Sequence, residues 1–275
     1  MKPPSPPPED LVIYEVKGVP DKPNTPDLKP GFLGFWTEGD YTFFFFDREA
    51  EARISAYLAD SPDLELRYTH RMKYTDWQDG AGFAPLTVGP LVLAPAWEET
   101  AVNPDQCLIK IDPGLAFGFG GHPTTRACLQ ILARVYEQDR PLSVLDLGTG
   151  TGVLSLAAVR LGAAQVKAVE NSQIAYEAAR RNVFLNQMDQ VIEVIQGRVE
   201  EYLDLPGELV CSNLHLPVQE AVLNGGGFAH RRWLIVSGLF HAQAEKMEKA
   251  LLNLGFKTLD RIRDTRWCTL LMKGI

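Results

Sequence analysis

The segment Val144-Leu145-Asp146-Leu147-Gly148-Thr149-Gly150-Thr151-Gly152 sets three glycines at alternate positions directly after an apolar run. Glycine lets a backbone turn sharply and pass close beneath a ligand. A dinucleotide fingerprint has the spacing Gly-x-Gly-x-x-Gly, with a helix start aimed at a pyrophosphate. Here the third glycine comes one residue early, and Val153 holds the dinucleotide position. Asp146 lies two residues before the first glycine. A carboxylate there opposes a pyrophosphate and suits a cationic ligand. Glu170, 22 residues after Gly148, ends the next apolar run. That is the place for a carboxylate accepting both hydroxyls of a ribose. A ribose-bearing, cationic ligand without phosphate is S-adenosylmethionine, which carries an ammonium and a sulfonium. After a third strand comes Gln196-Gly197-Arg198, where backbone meets an adenine edge. Arg198 reads as a solvated helix start.

These residues need a frame of strands and helices. Ser143–Leu147 reads as a strand, and Val153–Leu161 as a helix with Gly162 at its C-terminal cap. Val166–Glu170 is a second strand, and Ser172 caps a helix running to about Asn186. Val191–Ile195, Leu209–Ser212 and Trp233–Ser237 are further strands with helices between them, and a long helix spans about 242–254. Lys257–Arg263 and Arg266–Lys273 close the chain as a hairpin. Five βα units ending in a hairpin imply an α/β fold, a doubly wound sheet with an antiparallel last strand. Before it, Leu11–Lys17, Phe32–Trp36, Tyr41–Asp47 and Leu64–Arg71 read as strands, and Arg48–Leu58 as a helix. Thr37-Glu38-Gly39-Asp40 is a hairpin turn, and Phe43–Phe46 suits a strand apolar on both faces. The expected organisation is a Pro-rich disordered tail (1–10), a small α+β domain (11–74), a connector with short strands at 86–88 and 91–93 (75–111), and a cofactor-binding domain (112–275).

Composition narrows the setting. Among 275 residues, 45% are hydrophobic and 23% charged, as in a water-soluble globular protein with an ordinary core. The 35 acidic and 27 basic residues give a net charge of −8, which disfavours a nucleic-acid partner and suits a basic one. The four cysteines form no C-x-x-C pair and sit in apolar surroundings, so neither a disulfide frame nor a metal site is expected. The first ten residues have the charge pattern of neither a signal nor a transit peptide, and no apolar run is long enough to span a membrane. A cytoplasmic location follows as the expectation; the oligomeric state is left open.

A second motif is longer: Asp112-Pro113-Gly114-Leu115-Ala116-Phe117-Gly118-Phe119-Gly120-Gly121-His122-Pro123-Thr124-Thr125. With Ser212-Asn213-Leu214, Ser237-Gly238-Leu239, Gln243-Ala244-Glu245 and Trp267, it resembles the bacterial ribosomal protein L11 methyltransferases over about residues 75–275. The resemblance implies a Rossmann-like, seven-stranded class I methyltransferase domain, with a small, degenerate ferredoxin-like domain ahead of it for substrate recognition. It implies S-adenosylmethionine as cofactor and a lysine or other amino group of a protein, such as ribosomal protein L11, as acceptor. By the same resemblance Thr125 contacts the cofactor, Phe117 packs over it, Gly148 passes under its methionine part with Thr149 and Gly150 following, and Glu170 holds the ribose. Asn213 sits beside the transferring methyl and orients the acceptor nitrogen. Three departures stand out. Phe119 and Gly121 replace threonine positions of the family pattern, Leu214-His215-Leu216 replaces Ile-Leu-Ala, and the proline-rich stretch 20–30 replaces the first helix of the small domain.

A lysine acceptor has a pKa of about 10.4, so reaching its neutral form near pH 7.4 costs about 4 kcal/mol. A dry site beside a sulfonium lowers that cost, and a strong base is not required. His215 or His122 has the right titration range to take the proton. His122 reads first as a loop-ordering residue, and His215 as the catalytic candidate beside Asn213. Competing readings are a methyltransferase for another protein or a small molecule, a cofactor-binding interaction protein without turnover, and a dinucleotide oxidoreductase. The glycine spacing and Asp146 disfavour the last.

Overall fold

The computed structural model describes residues 4–20, 28–77, 83–116 and 118–275. The chain divides into two compact units, Ser5–Gly82 and Phe83–Ile275.

The smaller unit is built on an antiparallel sheet of β1 (Asp10–Lys17), β2 (Phe32–Glu38), β3 (Tyr41–Phe46) and β4 (Glu65–Lys73), in the order β2-β3-β1-β4. Helix α1 (Glu51–Ala59) lies on one face. Alternation places Val12, Tyr14, Val16, Phe44 and Phe46 against Ile54 of that helix. Phe45 points the other way and is also buried, packed edge-on against Trp77 of the short helix α2 (Tyr74–Trp77) at 5.0 Å. The phenylalanine run is therefore apolar on both faces because both faces are covered. The Tyr14 hydroxyl accepts from the Ala50 backbone N–H at 2.8 Å and fixes where α1 begins. Most of the proline-rich stretch, residues 21–27, lies outside the described residues, and with it the expectation that it replaces a helix.

The larger unit opens with a three-stranded sheet, β5 (Leu86–Val88), β6 (Leu91–Pro95) and β7 (Cys107–Ile111). Strand β7 runs parallel to β6 and has no counterpart in the sequence reading. Leu91, Leu93, Ile109 and Ile111 are fully buried and share a core with Leu129 and Leu132 of helix α3 (Pro123–Gln138). Next come β8 (Ser143–Leu147), α4 (Val153–Leu161), β9 (Gln165–Glu170), α5 (Gln173–Leu185), β10 (Ile192–Gln196), β11 (Leu209–Asn213), α6 (Leu216–Asn224), β12 (Trp233–Phe240), α7 (His241–Asn253), β13 (Phe256–Arg263) and β14 (Trp267–Gly274). The seven strands are ordered β10-β9-β8-β11-β12-β14-β13, and β14 runs antiparallel to both of its neighbours. This is the Rossmann-like α/β sheet expected of the sequence.

One crossover differs from expectation. Between β10 and β11 stands only a 3₁₀ turn, Val199–Glu201, in place of a helix. The segment is short and carries Pro206-Gly207, which do not support a helix interior. Strand order reverses between β8 and β11, and open α/β sheets bind ligands at such a reversal, beyond the carboxyl ends of the strands. Gly148, Glu170, Gly197 and Asn213 all lie there.

Candidate functional site

Construction begins at the turn after β8. The Gly148 and Thr149 N–H groups both donate to the Val169 carbonyl, at 2.9 and 3.0 Å. Gly148 has φ +71°, and a Cβ on it would fall 2.3 Å from Leu214 Cδ2. Glycine is required here both for the dihedral and for the close approach of the strand end at β11.

Asp146, read from the sequence as a cofactor-side carboxylate, is engaged within the turn. It is 1% exposed, and its Oδ2 accepts from the hydroxyls of Thr149 and Ser155, each at 2.6 Å. Its work is to hold Thr149, the loop and the first turn of α4 in place. Burial pushes its pKa up, opposed by those same hydroxyl donors. Thr149, 5% exposed, spends its hydroxyl on this bond, and its carbonyl accepts from the Gly152 N–H at 2.9 Å.

Glu170 ends β9, partly buried. Its Oε2 accepts from the Gly150 N–H and its Oε1 from the Ser172 N–H, both at 2.9 Å. An ionised carboxylate offers about four acceptor positions. Each oxygen therefore keeps one lone pair for a ribose hydroxyl, and the backbone bonds fix the carboxylate plane. Desolvation raises its pKa, against the lowering effect of the backbone N–H groups of Ser172, Gly150 and Asn171. Gly197 follows β10; its N–H donates to the Glu170 carbonyl at 3.0 Å. A Cβ there would meet the Tyr202 ring at 2.4 Å, so the backbone at the adenine position is packed directly on an aromatic side chain.

Asn213 ends β11, and its Nδ2 donates to Thr125 Oγ1 at 3.4 Å. Two residues 88 apart in sequence, named for neighbouring roles, thus meet. Thr125 is 2% exposed and lies in the first turn of α3. His122 caps that helix: its Nδ1 accepts from the Thr124 N–H at 3.3 Å and lies 2.7 Å from Thr124 Oγ1, while its ring meets Trp267 edge-on at 5.5 Å. Phe117 lies outside the described residues. Phe119 turns into the core, 5% exposed and edge-on to Phe83 at 5.4 Å, so the substituted threonine position is filled by packing. His215 is exposed and precedes α6 without a capping hydrogen bond from its side chain. Nothing in the fold orients its ring toward Asn213.

Four positioning residues went unread in the sequence. Thr151 Oγ1 donates to the Gly118 carbonyl at 2.6 Å and ties the Asp112–Gly121 loop to the glycine turn. Asn182, in the middle of α5, accepts from the Asp112 N–H at 2.8 Å and donates to the carbonyls of Thr151 and Asp112 at 2.9 and 3.1 Å. Gln219, 0% exposed in α6, donates to the carbonyls of Ser212 and Ser237, each at 2.8 Å, and accepts from Ser212 Oγ at 2.9 Å. It locks the strand ends on both sides of Asn213. Ser155 completes the set through Asp146. No group of three or more metal-ligating side chains exists among the described residues, and no described helix is long and apolar enough to cross a membrane.

The family model described as ribosomal protein L11 methyltransferase (PrmA) matches residues 35–274. The chain belongs to this family. A ribosomal protein L11 methyltransferase of Bacillus cytotoxicus is 36% identical over 191 residues, which span 66% of this chain and 59% of that relative. One from Desulforamulus reducens is 32% identical over 247 residues, 79% of this chain and 78% of its own. The crystal structure of a ribosomal protein L11 methylase from Lactobacillus delbrueckii subsp. bulgaricus superposes with a TM-score of 0.62 at 30% identity, covering 70% of this chain and 99% of that one. The chain thus spans less than two thirds of the length of the Bacillus relative. S-adenosylmethionine fits the residues present: Glu170 keeps two acceptor positions for a ribose, Gly148 and Gly150 present bare backbone beside it, and no basic side chain waits for a phosphate within the turn.

Proposed function

We propose that this protein transfers methyl groups from S-adenosylmethionine to amino groups of a ribosomal protein like L11, in the cytoplasm where such proteins are made. The carrying observation is the placement of Asn213 and Thr125 together at the strand end next to the glycine turn and Glu170. Cofactor and acceptor functions then occupy adjoining strand ends of one sheet. The names of the family and of its relatives supply the acceptor class. The unit Ser5–Gly82 is assigned acceptor recognition in this reading.

The bound cofactor supplies an electrophilic methyl on sulfur, attacked in line by an amine. Positioning does most of the work in such a displacement. Glu170 and the Gly197 backbone fix the nucleoside end, and the Gly148–Gly150 turn leaves room for the methionine end. Asn213 presents its carbonyl oxygen to the acceptor N–H while its Nδ2 is held by Thr125. That bond fixes which way the amide faces. The proton leaves to solvent or to exposed His215, with no dedicated base built into the site. Calorimetric titration of S-adenosylmethionine, combined with radiolabelled methyl transfer to purified L11, tests the reading. Labelling of the protein acceptor with saturable cofactor binding is expected; cofactor binding with label entering only small molecules would refute the acceptor.

A further inference from the structure

Strand β12 continues three residues past Ser237, the register partner of Asn213. Its pairing with β14 shifts between Val236 and Leu239, and the bulge holds Gly238 at φ +81°. A Cβ on Gly238 would lie 2.4 Å from the Leu214 carbonyl oxygen, so only glycine lets the strand pass the residue after Asn213. Bulges re-aim side chains, commonly next to active sites. This one delivers Phe240 onto Trp267, ring on ring, with centroids 4.6 Å apart and planes at 25°. Phe240 remains 40% exposed. Trp267 also meets His122, which caps the helix whose first turn carries Thr125, the partner of Asn213. The aromatic pair is thus linked through His122 to Thr124, the chain neighbour of Thr125.

A cation already stands at this shelf. The Arg266 guanidinium carbon lies 5.4 Å from the Phe240 ring centre and 5.9 Å from that of Trp267. Arg266 is exposed and belongs to the turn between β13 and β14. Oδ1 of the neighbouring Asp264 accepts from the backbone N–H groups of Arg266 and Trp267, at 2.8 and 2.7 Å, and makes the turn. Among the described residues no carboxylate pairs with the Arg266 side chain. An exposed guanidinium held by rings alone is weakly held, since a cation–π contact at the surface is a small interaction.

We propose that the Phe240–Trp267 shelf is a subsite for a lysine side chain of the acceptor protein, and that Arg266 is a built-in stand-in which the lysine must displace. This deepens the amine-acceptor reading and rests on it. Arg266 then acts as a specificity device. A neutral side chain gains little by displacing it, while a cation exchanges like for like and regains the ring contact. Phe240 supplies binding surface, and the Gly238 bulge supplies its direction.

The experiment uses the full chain without cofactor and reads tryptophan fluorescence during titration with Nα-acetyl-Nε-trimethyllysine amide, a permanent cation that needs no deprotonation and accepts no methyl. Removing a surface cation–π competitor is worth about two- to fivefold. Arg266→Ala should tighten the probe by about that factor, Arg266→Lys should stay near wild type, and Phe240→Ala should loosen it in either background. The isosteric neutral probe, in which a tert-butyl carbon replaces the trimethylated nitrogen, should bind all variants equally poorly. Unchanged or weaker probe binding in Arg266→Ala would overturn the stand-in role, as would equal binding of the neutral probe. Because the readout needs no cofactor and no turnover, it is independent of the cofactor titration that tests the methyltransferase reading. Thermal melts of each variant separate loss of the shelf from loss of fold.

Discussion

At the ends of β8 and β9, polar side chains are bonded to one another or to backbone; around the ends of β11 and β12, polar and aromatic side chains stand at the surface with few bonds. Asp146, Thr149, Ser155, Thr151 and Asn182 are buried or nearly so and mutually engaged. His215, Phe240 and Arg266 are exposed, while Asn213 is braced by Thr125 and by Gln219 beneath its strand. In the proposed function the first half binds a ligand of constant shape, so rigidity lowers the cost of binding. On the same proposal the second half admits an acceptor on a macromolecule and releases it, which suits weak, exchangeable contacts.

Substitutions can break this contrast or sharpen it. The largest effect is expected for Asn213→Ala: turnover should fall by at least about 100-fold, as for removal of a positioned polar group at the reacting centre. Its cofactor affinity by calorimetry should stay within about threefold of wild type. A parallel loss of both would show that the two halves are one site. Next, Gln219→Leu removes three buried hydrogen bonds, to the Ser212 and Ser237 carbonyls and from the Ser212 hydroxyl, and leaves the Ser237 carbonyl only the Leu214 N–H, at a cost of about 1–3 kcal/mol of stability in denaturant melts. Stability unchanged in this variant would mean that the strand ends need no internal lock. Third, Glu170→Ala should weaken S-adenosylmethionine by about 10- to 100-fold, the value of charge-assisted hydrogen bonds. Unchanged affinity would sink the ribose assignment.

Acidity separates folding from binding at this residue. Burial holds the Glu170 pKa above the ordinary glutamate value. In the window between the two, the folded chain carries a proton that the unfolded chain has released, so the group's contribution to stability grows as pH falls and is lost as pH rises through the raised pKa. Binding runs the opposite way, because a protonated carboxyl accepts fewer hydroxyl bonds. Cofactor affinity should therefore drop on mild acidification without loss of fold, and Glu170→Gln should flatten that acid limb. The smallest effect is expected for His215→Ala, a rate change below about threefold. A loss of tenfold or more would fall within the range of general base catalysis and make the exposed histidine a working base.

The legible part of the site was the part with local grammar. Gly148, Gly150 and Glu170 follow from spacing along two consecutive strands, and the doubly wound order follows from alternating strand and helix. Asp146 was legible as a charge but not in direction: sequence does not tell whether a carboxylate at a strand end points out to a ligand or in toward Thr149 and Ser155. Asn182 and Gln219 carry no local signal at all. Each is a polar residue inside a helix whose partners include backbone groups distant in sequence, and only the packed fold brings those groups within reach. Helix α3 escaped notice because a histidine caps it in place of the usual serine, threonine, aspartate or asparagine, with Pro123 following.

Strand β13 closes the large sheet with an open edge. An unpaired strand edge is a template for another chain. Here Lys257, Asp260, Arg261 and Arg263 stand along it, and the strand is alternately exposed throughout its length. Crowding a second edge against that row would set like charges together and disrupt the Glu248–Arg261 and Arg134–Asp260 ion pairs. The sheet thereby carries its own guard against growing into a fibre, and neutralising Arg261 and Arg263 together is the change that would remove it.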